Sequence, residues 1–303
     1  MKKLVSAVLA LLMVFSLASC GGKLDAKEIY IEALKNTKTY TMDMDMEMSM
    51  TAEGETIALK IGLDGDVDAK QNMKLSYLIG DATSGMNYTG EAYLLLDTFE
   101  IYASLMGMWL NIGLDDIEAL TGQPVDMTQF NELIKQQQDT VAYVDAMGME
   151  FGEITEENGL YKFNITFGDK AVQMVEETML GSTEGLSEED IAMMKEIIEQ
   201  ADIGSLLKAL SVEVHINAKE KTLAYCGGDF TKAMADYMKR TLDAAAELDP
   251  EAAGANVSVD KMVVTVNITN AGNVTAITVP DTVKQGAMSI MDLVQMLMYY
   301  GAE

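Results

Sequence analysis

Few side chains in this 303-residue sequence have types and spacing that could do chemistry. Met42, Met44, Met46, Met48 and Met50 recur at every second position, separated by Asp43, Asp45, Glu47 and Ser49. Thioethers so placed line one face of a strand, as a core face, as a soft wall for a flexible apolar ligand, or as soft ligands for Cu(I). A single histidine and the lack of a second thiol cluster weaken copper. Asp64, Asp66 and Asp68 have the spacing that opens a calcium loop. Ala69 and Leu75 stand where that loop needs glycine and glutamate, so an acidic turn is expected instead. His215 has no second histidine for a metal set or a catalytic triad. Its alternation with Val212, Val214 and Ile216 puts it on a solvent-facing side with Glu213 and Asn217. Cys226 has no cation or base beside it in Ala224-Tyr225-Cys226-Gly227-Gly228, which suits a passively packed thiol. With 48 acids any carboxylate pair can arise by chance, and no Gly-x-Ser-x-Gly, His-Glu-x-x-His or phosphate-loop motif occurs. The expectation is a protein without catalytic residues, metal or cofactor.

The other cysteine has a context. Met1-Lys2-Lys3 is basic, Leu4 to Phe15 is predominantly apolar, and Leu17-Ala18-Ser19-Cys20 follows. This is the order of an export signal, with an apolar run shorter than the roughly 20 residues that span a bilayer. Leu17, Ala18, Ser19 and Cys20 resemble the lipobox of bacterial lipoproteins. The resemblance implies cleavage before Cys20 and a diacylglycerol on its thiol. Residues 1–19 would be the signal peptide and 20–24 the lipidated tether, on the extracytoplasmic face of the cell membrane. Cys226 would then have no disulfide partner.

The formal net charge is −27, from 21 basic and 48 acidic residues. Removing residues 1–19, which carry two lysines and no acid, makes it −29 (19 minus 48). Phosphate backbones repel such a body and no basic patch with interleaved aromatics exists, so nucleic acid is excluded as a partner. Anionic headgroups repel it too, and two acyl chains would supply the membrane attachment. At 49% hydrophobic residues the chain can build a core.

The elements that must position these residues follow from periodicity. Asp25 to Asn36 reads as a helix with Asp25 as N-cap and Glu28 three residues on. The methionine strand leads, through a Glu53-Gly54 turn, to Ile57, Leu59, Ile61 and Leu63 in alternation. An Asp64-Gly65-Asp66 turn then leads to Met73, Leu75, Tyr77 and Ile79, with further strands over 86–96 and 99–112. Connections this short make the meander antiparallel. Helices are expected over 126–147 (Phe130, Leu133, Ile134, Val141 and Val144 inward), 169–180, 187–210 and 230–248. Strands are expected at Leu160 to Phe167, at Val212 to Ile216 returning through Leu223 and Tyr225, and at Met262 to Ile268 turning into Val274 to Val279. A helix from about Gln285 to Tyr300 closes the chain. No Pro/Gly/Ser-rich linker separates the halves, so 25–303 reads as one α+β domain.

This order, with Trp109 after the meander and Val279-Pro280 near the end, resembles the bacterial half-barrel lipoproteins that include LolA, LolB, LppX and LprG, and uncharacterised Gram-positive lipoproteins of that fold. The resemblance spans most of 25–282. It implies a curved antiparallel sheet holding lipid or acyl chains on its concave face under a helical lid. The helices within 169–248 would be insertions. The expected function is non-enzymatic binding or carriage of a hydrophobic, lipid-like ligand. The expected wall is Met42, Met44, Met46, Met48, Met50, Ile57, Leu59, Ile61, Leu63, Met73, Leu75 and Tyr77, closed by Ile290, Leu293, Val294, Leu297 and Met298. The rival expectation is an envelope scaffold with a self-filled core, whose acidic surface binds a protein partner in a salt-sensitive way.

Overall fold

The computed structural model describes residues 24–81, 83–96, 98–121, 140–181, 202–248 and 257–300. The export signal, Cys20, Phe130, Leu133, Ile134 and the start of the 187–210 helix lie outside them.

Helix α1 (Ala26–Asn36) is capped by Asp25, whose carboxylate accepts from the backbone N–H groups of Lys27 and Glu28. Strands β1 (Tyr40–Ala52), β2 (Glu55–Val67), β3 (Met73–Asp81), β4 (Met86–Leu95), β5 (Glu100–Leu105) and β6 (Met108–Ile112) follow as a meander. Next come α2 (Leu114–Thr121), α3 (Thr140–Ala146), β7 (Met149–Phe151), β8 (Thr155–Glu157) and β9 (Leu160–Phe167). Helices α4 (Asp169–Gly181) and α5 (Ile203–Ala209) precede the hairpin β10 (Val212–Asn217) and β11 (Leu223–Asp229). The chain ends with α6 (Thr231–Leu248), β12 (Val257–Thr269), α7 (Asp281–Gly286), β13 (Met288–Ser289) and α8 (Ile290–Tyr300). One curved, unclosed sheet runs β13-β6-β5-β4-β3-β2-β1-β12-β11-β10-β9-β7, with β8 also on β9. Every pairing is antiparallel except the short parallel contact of β13 with β6. The α+β class and the large antiparallel sheet are as the sequence implied.

Several local expectations are corrected. Asp64-Gly65-Asp66 is not a turn, because β2 runs straight through it to Val67. Gly65 is there for close approach: a Cβ would sit 2.0 Å from the Lys74 carbonyl oxygen on β3. The real turn is 68–72, organised by Asp68. The 99–112 stretch is two strands, reversed at Met106-Gly107, both residues with positive φ. Val274 to Val279 forms no strand, since both edges of β12 are already occupied by β1 and β11. In the described part of the expected 187–210 helix, α5 begins only at Ile203, because Asp202 (φ 50°) sits in the left-handed region and caps it through Ser205 N–H. Val144 is buried as expected, whereas Val141 is 40% exposed. The last helix starts at Ile290 and packs against α2, β6 and β13 at the sheet edge, with Met298 turned outward.

Among the described residues two apolar clusters hold the fold. Ala26 and Ala33 of α1 pack with Phe163, Ile165, Val214 and Ile216 of β9 and β10. At the other end Tyr93, Leu95 and Tyr102 pack with Val279 and Val283 of the returning chain, flanked by Trp109.

Candidate ligand-binding face

Met42, Met44, Met46, Met48 and Met50 stand directly opposite Gly65, Leu63, Ile61, Leu59 and Ile57 on β2. Val67, Gly65, Leu63 and Ile61 in turn oppose Met73, Leu75, Tyr77 and Ile79 on β3. Directly opposed residues of antiparallel strands share a face. All twelve residues of the expected wall therefore lie on one side of the sheet. The same side continues onto β12 through Ile268, Val266, Val264 and Met262. Ile57 is 67% exposed and the other eleven are half-buried, neither sealed as a core nor fully in water. Tyr77 has a further contact: its hydroxyl donates to the Ser104 carbonyl, and its ring crosses Gly90, where a Cβ would meet the hydroxyl oxygen at 2.5 Å.

The opposite face is polar. Asp43, Asp45 and Glu47 oppose Asp64, Gly62 and Lys60, with Lys60 3.6 Å from Asp45 and Lys261 paired to Glu47. The hydrogen bond and charge of Lys261 hold the Glu47 carboxyl below the usual carboxylate range. His215 lies on this face with Glu213, as alternation predicts, at 2.7 Å from its carboxylate. It is less open than expected, since Tyr225 stacks on it at 4.7 Å between ring centroids. Cys226 lies on the apolar side, opposite Val214 and Val266, and burial pushes its thiol pKa up. That is the state of an unreactive thiol.

Two features of the polar side were not read from the sequence. Asp68, 2% exposed, accepts from the N–H groups of Lys70 (2.8 Å), Asn72 (3.0 Å) and Ile277 (2.9 Å), and from the Asn72 side chain (3.3 Å). Asn72 then accepts from Leu96 N–H at 2.9 Å. A cleft of about 390 Å³ lies between Asp66, Lys74 and Tyr93 and the strap from Asn273 to Thr278. A buried aspartate feeding a strap over 200 residues away leaves no local periodicity to read. Among the described residues no cluster of three or more His, Cys, Asp or Glu is placed to hold a metal, and no helix is long and apolar enough to cross a membrane.

No protein-family model and no curated protein matches the chain. Among solved structures it is similar to LprF from Mycobacterium bovis, at 11% identity and a TM-score of 0.33, over 84% of this chain and 96% of that one. At that TM-score the likeness carries no argument about function.

Proposed function

We propose that this chain binds a hydrophobic, lipid-like ligand on the apolar face of β1–β3, without catalysis, while tethered outside the cell membrane through acylated Cys20. One observation carries the reading: twelve apolar side chains from three strands are in register on one face, and Ile57 is two-thirds exposed there. A face of this extent left only partly covered by the described residues marks a binding surface. Methionines suit a ligand of variable shape because their unbranched side chains repack at little cost. Binding draws on apolar area removed from water, about 25 cal/mol per Å², and needs no titrating group.

Replacing Met44 and Met46 together by Asp puts charge into the wall. The protein is expected to keep its circular dichroism spectrum and lose binding of a fluorescent fatty-acid probe. Unchanged probe binding by the folded double variant, or none by the wild type, removes the ligand reading and leaves the acidic scaffold. Cys20→Ser is expected to release the protein from membranes; retention through a carbonate wash would place the anchor elsewhere.

A further inference from the structure

The apolar face is not exposed evenly. Its most open large side chains, Ile57, Ile79, Met86, Tyr88, Leu105 and Met108, gather at one edge of the sheet. That edge carries the three meander hairpin turns, at Glu53-Gly54, at 83–85 and at Met106-Gly107. Met106, at the tip of the third, is 77% exposed. No charged residue occurs from Ile101 to Leu114. At the opposite edge Val67, on the same face, is fully buried.

The start of α1 faces the open edge. Its end is fixed at the opposite one, where Asn36 donates to the Lys221 carbonyl in the β10–β11 turn, beside the start of β1. Its beginning is fixed by the Lys27–Asp145 pair at 2.6 Å, next to β7 and the end of β9. Helix α1 therefore runs back toward the hairpin edge, rising about 16 Å over its 11 residues. The six peptide steps from Ala26 back to Cys20 reach at most about 20 Å further. Strand β1, with 13 residues, is about 43 Å long.

We infer that the hairpin edge rests in the bilayer surface, with the Met106 tip and its neighbours Met86 and Tyr88 entering the headgroup boundary. The inference rests on the proposed acylation of Cys20, and it is independent of whether the methionine wall holds a ligand. Side chains of this kind, with the exposed Tyr88 among them, favour the membrane–water boundary. Glu53 lies in the first turn, with Glu55 beside it and Asp81 beside the second, so contact is driven by apolar insertion into zwitterionic lipid and is insensitive to salt. The edge would open the apolar face directly onto the lipid, so that a ligand need not cross water.

The test uses the acylated chain in phosphatidylcholine vesicles. It carries a polarity-sensitive label on Met106→Cys or, at the opposite edge, on Glu220→Cys, and buried Cys226 is left unlabelled. Support is strong quenching of the 106 label by a lipid-borne quencher, at low and high salt alike, with the 220 label unaffected. Equal, weak quenching at both sites on protein that floats with the vesicles overturns the contact and leaves the anchor standing. A 106 label already shielded without vesicles shows that the chain covers its own rim, which also overturns it. Protein that fails to float overturns the contact together with the anchor. Fatty-acid probe binding, measured on the same samples, reports the ligand reading separately.

Discussion

The two halves of the sheet use the same alternation in opposite ways. Across β9 and β10, Phe163, Ile165, Val214 and Ile216 lie beneath α1 and are sealed, with Val214 and Ile216 at 0% exposure. Across β1–β3 the register carries that same side onward as the methionine face, and it stays half-buried. Around β4–β6 the sealed side has switched, because the chain over 277–287 packs on Tyr93, Leu95 and Tyr102 from the polar side. Period-2 alternation thus states which residues share a face. What covers that face depends on chain that returns from far away in sequence.

The largest effect should separate the halves directly. Ile216→Ala removes a side chain that neighbours cannot collapse around and is expected to cost about 2–5 kcal/mol. Met46→Ala, on the half-buried stretch, is expected to cost about 1 kcal/mol, since that side chain is already partly open to water. Urea denaturation of both variants checks this. Equal losses would mean that the methionine face is a sealed core, and the comparison would fall.

Next in size is the clamp on the polar side. Asp68→Ala leaves the N–H groups of Lys70, Asn72 and Ile277 without an acceptor, an expected cost of about 3 kcal/mol for buried donors left unpaired. Hydrogen exchange should show the Ile277 amide losing protection while the amides of β9 and β10 keep theirs. Protection lost equally in both regions would mean that the strap is no separate device.

Much of this architecture was legible because the strands are long and strictly alternating. The methionine strand, its partners and the shared face were readable from Met42, Ile57 and Met73 onward, as was Asp25 as the cap of α1. Legibility failed where a residue's local meaning and its tertiary use diverge. Gly65 between two aspartates reads as a turn, yet it serves the close approach of Lys74. Val274 to Val279 has strand composition, yet its Val274 and Ile277 amides go to Thr39 and Asp68 because β12 has no free edge. Trp109 was legible as a mark near the end of the meander. The apolar rim becomes visible only when three turns, far apart in sequence, are brought to one edge.

The smallest effect is one of pH, and it distinguishes exposed ion pairs from buried groups by the sign of its limb. On the exposed polar surface Lys261 lowers the Glu47 pKa, Lys27 that of Asp145 and Lys208 that of Asp169, each first by hydrogen bond and then by charge. A lowered carboxylate pKa contributes stability that is present above the unfolded value and is lost as pH falls through the folded one. This acid limb should shrink with added salt, because the pairs are exposed. On the apolar side burial raises the Tyr40 pKa, with the charge of Cys226 adding to it, and burial raises that of Cys226. There the unfolded chain releases its protons first. Stability should therefore fall as pH rises past the unfolded values, about 8.5 for the thiol and 10 for the phenol, until the folded groups ionise too. Tyr40→Phe with Cys226→Ala should flatten this alkaline limb, read as the urea midpoint against pH, and leave the acid limb in place. An alkaline slope unchanged in that double variant would move its origin to Tyr102 and Tyr225, both also raised by burial and both on the polar side.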